Sequence, residues 1–132
     1  MNFTVDFEFN GYGGELLSMG LYSPNHSLYV LFVEEPDAPA MAITPWVQTN
    51  VVPLLKLWPR IDDKLLASNH CATYAQISRK HTPAAIEHFF QTVVPQDETP
   101  HIHTDWPDDV KYFSELLLTG PGTMIGIPGI KF

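Results

Sequence analysis

Strict alternation of apolar and polar residues opens the chain. In residues 2–10 every second side chain is apolar, which places four of them on one side: Phe3, Val5, Phe7 and Phe9. A period of two is typical of a β-strand with one buried face. The other side carries Asp6 and Glu8. Because same-side residues two apart on a strand lie about 7 Å from each other, both carboxylates can reach one small volume.

The pattern then predicts two more strands. The glycines of residues 11–14 favour a tight turn, since glycine adopts positive φ at no steric cost. Residues 15–22 return as a second strand, residues 23–27 carry turn residues, and the apolar run 28–33 is typical of a buried third strand. The sequence therefore predicts a three-stranded antiparallel meander at the N-terminus.

Helical spacing dominates the second half. Thr44 and Pro45 favour a helix start, and Pro53 predicts a break or kink soon after. Residues 62–68 are compatible with a short helical turn, whereas residues 69–78 show no assignable pattern. A clearer helix is predicted over residues 82–94, because its apolar residues follow i, i+3, i+4, i+7 spacing: Ile86, Phe89, Phe90 and Val93.

The last third predicts a strand, a helix and a closing strand. Residues 101–104 are the strand, Pro107 begins the helix, and residues 123–132 form the final strand, weakened by two glycines and a proline. The apolar face of the helix is assigned to Val110, Phe113, Leu116 and Leu117. The alternation of strands and helices predicts one α/β domain over residues 1–132 with a mixed sheet.

Composition narrows the function classes. Fifteen acidic against seven basic residues give a net charge of −8, which argues against a protein that coats nucleic acid by charge alone. The single cysteine, Cys71, excludes an internal disulfide and is expected to be a small buried residue. No apolar run approaches the length of a membrane span, and no basic leader precedes the first strand. The sequence predicts a soluble, cytoplasmic protein.

The candidate chemistry is a cluster of acids. Asp105 follows the predicted strand 101–104, and ligands of such sheets gather at the carboxyl ends of strands. If the two strands are neighbours, Asp105 joins Asp6 and Glu8 in a site for a hard ion such as Mg²⁺ or Mn²⁺. The alternative is a set of solvated acids, the commoner state of a bare D-x-E. A zinc pair of His101 and His103 is the weaker metal hypothesis, because no third ligand is defined.

Several segments together resemble a known family. The first is Asp6-Phe7-Glu8-Phe9 followed by ELLSMGL from residue 15; the others are WV at 46–47 with NVVPL at 50–54, and TDWPDDV at 104–110. They resemble the DEDD superfamily of 3′–5′ exonucleases, which have the ribonuclease H-like fold, and in particular the branch typified by a mycobacterial 3′–5′ exoribonuclease. The resemblance implies that Asp6, Glu8 and Asp105 bind a catalytic pair of Mg²⁺ or Mn²⁺ ions. It also implies RNA or single-stranded nucleic-acid 3′ ends as substrate.

The sequence departs from this family at one position. The family carries a fourth acid, preceded by a histidine or tyrosine general base, on a helix after the last strand, and no residue here supplies it. Nearby substitutes are His101, His103 and Glu15. The chain is then either a shortened exonuclease or an inactive, inhibitor-like interaction module with the same scaffold. A homodimer is left open by the sequence, and three of the other histidines are assigned to the surface or to loops: His70, His81 and His88.

Overall fold

A mixed five-stranded sheet organises the part of the chain that this computed structural model describes, which is residues 1–34, 42–55, 70–127, 129 and 130. Its strands are β1 (Asn2–Phe9), β2 (Leu16–Tyr22), β3 (His26–Phe32), β4 (Cys71–Ile77) and β5 (His101–His103). The spatial order is β4-β3-β2-β1-β5. β1, β2 and β3 pair antiparallel, β4 runs parallel to β3, and β5 runs parallel to β1. The predicted meander and the α/β class with a mixed sheet are confirmed.

Four helices flank this sheet among the described residues: α1 (Pro45–Asn50), α2 (Val52–Leu55), α3 (Thr82–Val93) and α4 (Pro107–Leu116). A 3₁₀ turn, Arg79–His81, precedes α3, and β6 (Leu118–Gly120) pairs with β7 (Thr123–Met124) in a small separate hairpin. The Thr44 side chain caps α1 by accepting a hydrogen bond from the Val47 amide. The break predicted at Pro53 is confirmed, since α1 ends at Asn50 and α2 starts at Val52. None of the described helices is long and apolar enough to span a bilayer.

The apolar side of β1 faces the main core. Phe3, Val5 and Phe7 are buried, and the cross-strand partners of Val5 and Phe7 on β2 are the fully buried Leu21 and Met19. Helices α3 and α4 cover this face with Ile86, Phe89, Phe90, Phe113 and Leu116. The helical spacing that predicts α3 thus reflects its packing against the sheet.

The opposite face of the sheet carries the acids. Glu8 pairs with Ser18, and Ser18 pairs with Leu31, so all three side chains share this face. A second apolar cluster covers part of it, where α1 and α2 pack through Val47, Val51 and Leu55 against Leu17 and Leu31. The sheet is therefore sandwiched between α3–α4 on one side and α1–α2 on the acid-bearing side.

Three expectations differ from the structure. Residues 71–77 form β4, which the sequence pattern left unassigned. Cys71 is exposed rather than buried, because it lies on this edge strand. Among the described residues of the predicted closing strand, 123–127, 129 and 130, only Thr123–Met124 is strand, and it pairs with Leu118–Gly120 instead of joining the main sheet. The helical turn predicted over residues 62–68 lies outside the described residues.

Candidate metal centre

Parallel pairing of β5 with β1 sets the positions of the first two acids. Thr4 of β1 is opposite His103 of β5. Asp6 follows Thr4 by two residues, and Asp105 follows His103 by two residues, so the parallel pairing brings Asp6 and Asp105 to the same level. Asp105 lies after the end of β5, in the turn before α4. Both side chains are exposed. The two acids therefore meet at the carboxyl end of this strand pair, where β1 continues beyond the end of β5.

A third acid, Asp109, completes the cluster. Carboxylate oxygens of Asp6, Asp105 and Asp109 all lie within 4.8 Å of one another. Glu8 is not a member of this group among the described residues, although it lines the same cavity as Asp6. The structure therefore brings together two of the three acids singled out from sequence, places Glu8 beside them, and adds Asp109.

Asp109 lies on the buried face of α4. Its side chain is 1% exposed, and its Oδ2 has no hydrogen-bond partner among the described residues. Three apolar residues share its face at spacings of three, four and seven: Tyr112, Phe113 and Leu116. The sequence assignment of Val110 to that face is wrong, since its side chain is exposed. The sequence did contain one signal for the burial of Asp109, namely that it falls on the same helical face as these apolar residues.

Burial has a large electrostatic consequence for Asp109. Desolvation and then the charges of Asp6, Asp105, Asp108 and Glu8 raise the pKa of Asp109 to about 6. The first turn of a helix favours a negative charge by only about 0.3–1 kcal/mol. A rise of roughly two pKa units corresponds to about 3 kcal/mol, so burial and repulsion outweigh the helix dipole.

The two acids of β1 are perturbed in the same direction. Burial raises the pKa of Asp6, the nearby Asp105 raises it further, and a backbone hydrogen bond at Phe7 lowers it. Burial and then the Asp6 charge raise the pKa of Glu8. Each carboxylate thus binds protons more readily than it does in water, because the cluster concentrates negative charge in a partly desolvated volume.

An open cavity of about 410 Å³ lies over the acids. Asp6, Glu8, Asp108 and Asp109 line it on one side. Three strongly exposed aromatic side chains also line it: Tyr12 at 94%, Trp46 at 68% and Trp106 at 56% exposure. Large aromatic side chains are normally buried. Their grouping around one acidic cavity therefore marks a surface suited to a ligand with flat, apolar parts.

Polar contacts hold two of these aromatic residues in place. The Asn10 side chain donates to the Ala42 carbonyl (2.8 Å) and accepts from the Thr44 amide (2.9 Å), which ties the start of α1, and with it Trp46, to the end of β1. The indole N–H of Trp106 donates to Asp108 at 3.3 Å. The cavity wall is thus built by segments anchored to β1 and α4.

Comparison with known proteins identifies no relative. No family model, curated protein or solved structure matches the chain.

The donor set of the cluster fits a hard divalent cation. Carboxylate oxygens are the ligands that Mg²⁺ and Mn²⁺ prefer. A buried carboxylate oxygen without a hydrogen-bond partner is costly, and a bound cation or a proton removes that cost. The Oδ2 atom of Asp109, which has no hydrogen-bond partner among the described residues, could therefore be satisfied by a bound cation or by protonation of the cluster.

The histidines lie apart from this cluster. His101 and His103 are exposed, and His103 is 3.2 Å from the Asn2 side chain. Among the described residues neither they nor Glu15 belong to the group of converging ligand atoms. His70 lies in a loop, as expected, but it is half-buried, and its Nε2 lies 3.0 Å from the Ser27 hydroxyl. Its Nδ1 lies 3.0 Å from the Pro24 carbonyl oxygen, so His70 ties the segment before β4 to the β2–β3 turn.

Asp109→Asn is expected to gain stability relative to wild type as the pH rises. The pKa of Asp109 is about 6 in the folded chain against 3.8 as reference, so the folded state binds the proton more tightly. The wild type therefore loses stability as pH rises from about 4 through 6, whereas asparagine does not titrate. Between about pH 4 and pH 8 the difference in unfolding free energy should shift by roughly 2–3 kcal/mol in favour of the variant.

Urea unfolding at the two pH values, with EDTA present, measures this difference. Asp97→Asn is the matched control, because Asp97 is exposed in the turn before β5. Its difference from wild type should stay nearly constant. A constant difference for Asp109→Asn as well would show that Asp109 is not the destabilised acid that its burial implies.

Proposed function

We propose that this protein is a metal-dependent 3′–5′ exonuclease that acts on RNA or single-stranded nucleic-acid ends and uses Mg²⁺ or Mn²⁺ in a two-ion site. The observation that carries the proposal is the convergence of Asp6, Asp105 and the buried Asp109 beside Glu8; among the described residues, Oδ2 of Asp109 has no hydrogen-bond partner. Acid clusters that hold two divalent ions are the usual machinery of nucleases. The sequence resemblance to DEDD exonucleases supports the same chemistry.

The cavity wall supports a nucleic-acid substrate. Nucleobases stack on exposed aromatic side chains, and each such contact contributes about 1–3 kcal/mol. Tyr12, Trp46 and Trp106 offer such faces around the acids. The net charge of −8 and the acids of the cavity oppose the binding of a phosphate. A bound metal would offset this repulsion.

Each acid has a role in this proposal. Asp6, between Glu8 and the other two aspartates, would ligate both ions, Glu8 would hold the first and Asp105 the second, with Asp109 as the additional ligand. Divalent ions supply Lewis-acid stabilisation of the charge that develops on the phosphate. The reaction breaks the bond between phosphorus and the 3′ oxygen and forms a bond from phosphorus to the water oxygen. The products are a nucleoside 5′-monophosphate and a strand shortened by one residue.

The fold is compatible with a ribonuclease H-like scaffold, which we include in the proposal. β1, β2 and β3 form the N-terminal meander, and β5 runs parallel to β1 with α4 directly after it. In this scheme β4 is an added strand on the outer side of β3. The acids then lie at the carboxyl end of the parallel β1–β5 pair, where ligands of such sheets gather.

A hydrolysis assay tests the proposal. With Mn²⁺ or Mg²⁺, the purified chain should shorten 5′-labelled single-stranded RNA or DNA one residue at a time, and EDTA should stop the reaction. Activity should fall on fully paired ends, because their bases are not free to stack on the aromatic side chains. Absence of hydrolysis with retained Mn²⁺ binding would overturn the proposed exonuclease activity. It would favour the alternative, an inactive, inhibitor-like interaction module.

A further inference from the structure

The outer edge of β4 differs from the rest of the sheet. β4 pairs with β3 along seven consecutive residues without a register shift, and among the described residues nothing pairs with its other side. Most of the strand is accessible: Cys71, Ala72, Thr73, Tyr74 and Gln76 are exposed, whereas Ala75 and Ile77 are half-buried. A straight edge strand of this kind presents a row of free backbone donors and acceptors.

The direction of the ladder shows which groups are free. The Cys71 amide donates to the Asn25 carbonyl at 2.7 Å, and the Ile77 carbonyl accepts from the Val33 amide at 3.0 Å. Odd-numbered residues of β4 therefore bond to β3, because backbone groups alternate along a strand. The amides and carbonyls of Ala72, Tyr74 and Gln76 point away from the sheet.

Natural sheets often protect their edges with short strands, charged residues or proline, and the sequence of β4 offers none of these. The opposite edge strand, β5, is only three residues long. By contrast, the segment CATYAQI of β4 contains no charged residue and no proline. In a chain with a net charge of −8, an uncharged edge is a place where two copies can approach without strong repulsion.

Side-chain contacts hold this edge in its extended form. The Tyr74 ring stacks on Tyr29 of β3 with centroids 5.8 Å apart and planes 9° apart. The Gln76 side chain donates to the Tyr74 hydroxyl at 2.9 Å. A preorganised strand loses little conformational entropy when it pairs, which favours association.

We propose that β4 pairs antiparallel with β4 of a second copy of this chain about a two-fold axis at Tyr74. This register places Tyr74 opposite itself and Ala72 opposite Gln76 of the second copy. All three positions then exchange hydrogen bonds, about six in total. Each copy contributes the same strand to the interface, as a two-fold dimer requires, and the two sheets form one continuous sheet.

Light scattering on a sizing column tests the pairing. Wild type should show twice the 14.9 kDa mass of one chain at high concentration. Ala72→Pro removes an outward amide without removing a bond to β3, so it should be monomeric with unchanged circular dichroism, whereas Ala72→Ser should remain dimeric. A monomeric wild type, or a dimeric Ala72→Pro variant, would overturn the proposal.

Cross-linking tests the register even if the proline variant fails to fold. Directly opposed hydrogen-bonded residues have Cα atoms about 5.5 Å apart, which suits a disulfide. Tyr74→Cys combined with Cys71→Ser should therefore form a covalent dimer on mild oxidation. Wild type should not, because Cys71 would face Ile77 of the second copy. Cross-linking through Cys71 but not through position 74 would contradict this register.

Discussion

Asp6→Asn is expected to lower the rate of metal-dependent hydrolysis on the order of 10³-fold, which corresponds to about 4 kcal/mol of transition-state stabilisation. Asp6 is the acid whose oxygens approach both Asp105 and Asp109 and whose charge acts on Glu8. Asparagine has nearly the same shape, so the substitution removes the charge while the packing of β1 is retained. The loss should fall mainly on kcat, because the aromatic wall of the cavity is unchanged.

The control for this variant is Asp97→Asn, which removes one acid from an exposed turn outside the cavity. Its rate should match wild type, because Asp97 does not line the cavity. The net charge changes by the same amount in both variants, so an effect of net charge alone would lower both rates. If Asp6→Asn retained hydrolysis within about threefold of wild type, the nuclease centre would lie elsewhere or the activity would come from a contaminant.

Phe90→Ala is expected to lower the free energy of unfolding by about 3–5 kcal/mol. Phe90 is 1% exposed, and its ring packs edge-on against Phe3 of β1 with centroids 5.1 Å apart. It also meets Phe113 of α4 at 6.5 Å, so one side chain joins the sheet and both helices on that face. Alanine would leave a cavity at this junction. The effect is large because the total free energy of unfolding of a small domain is itself small.

Denaturant unfolding measures the effect, and Tyr12→Ala is its control. Tyr12 is 94% exposed, so its truncation should change the unfolding free energy by less than about 1 kcal/mol. If Phe90→Ala also cost under about 1 kcal/mol, α3 would not be packed on the sheet as described.

Elements with a local periodic signal were predictable from sequence. β1 alternates strictly because one side faces the core, and α3 repeats at helical spacing because it lies on that core. β4 carries neither signal, since five of its seven residues are exposed and none is fully buried, so no strict alternation is required. Its strand conformation depends on parallel pairing with β3, more than forty residues earlier in the chain, which a local pattern does not encode.

The candidate site was predictable in part for the same reason. Asp6 and Glu8 share one face of a periodic strand, and Asp105 follows the strand beside it. Asp109 also satisfies a local rule, because an acid in the first turn of a helix is favoured by the helix dipole whether or not it is buried. Its burial beside Asp6 arises from the packing of α4 against β1, where Tyr112 lies 5.8 Å from Phe7 between ring centroids. The spacing of Asp109 with the apolar residues of α4 is compatible with burial, but its approach to Asp6 depends on this tertiary contact.

Calorimetric titration with Mn²⁺ is the most direct test of the metal centre. Wild type should show saturable binding, and Asp97→Asn should match it. Asp109→Asn should bind at least about 10-fold more weakly, because it loses the buried carboxylate oxygen that has no other partner among the described residues. Wild-type affinity in Asp109→Asn, or no saturable binding by the wild type, would contradict a metal centre built on Asp6, Asp105 and Asp109.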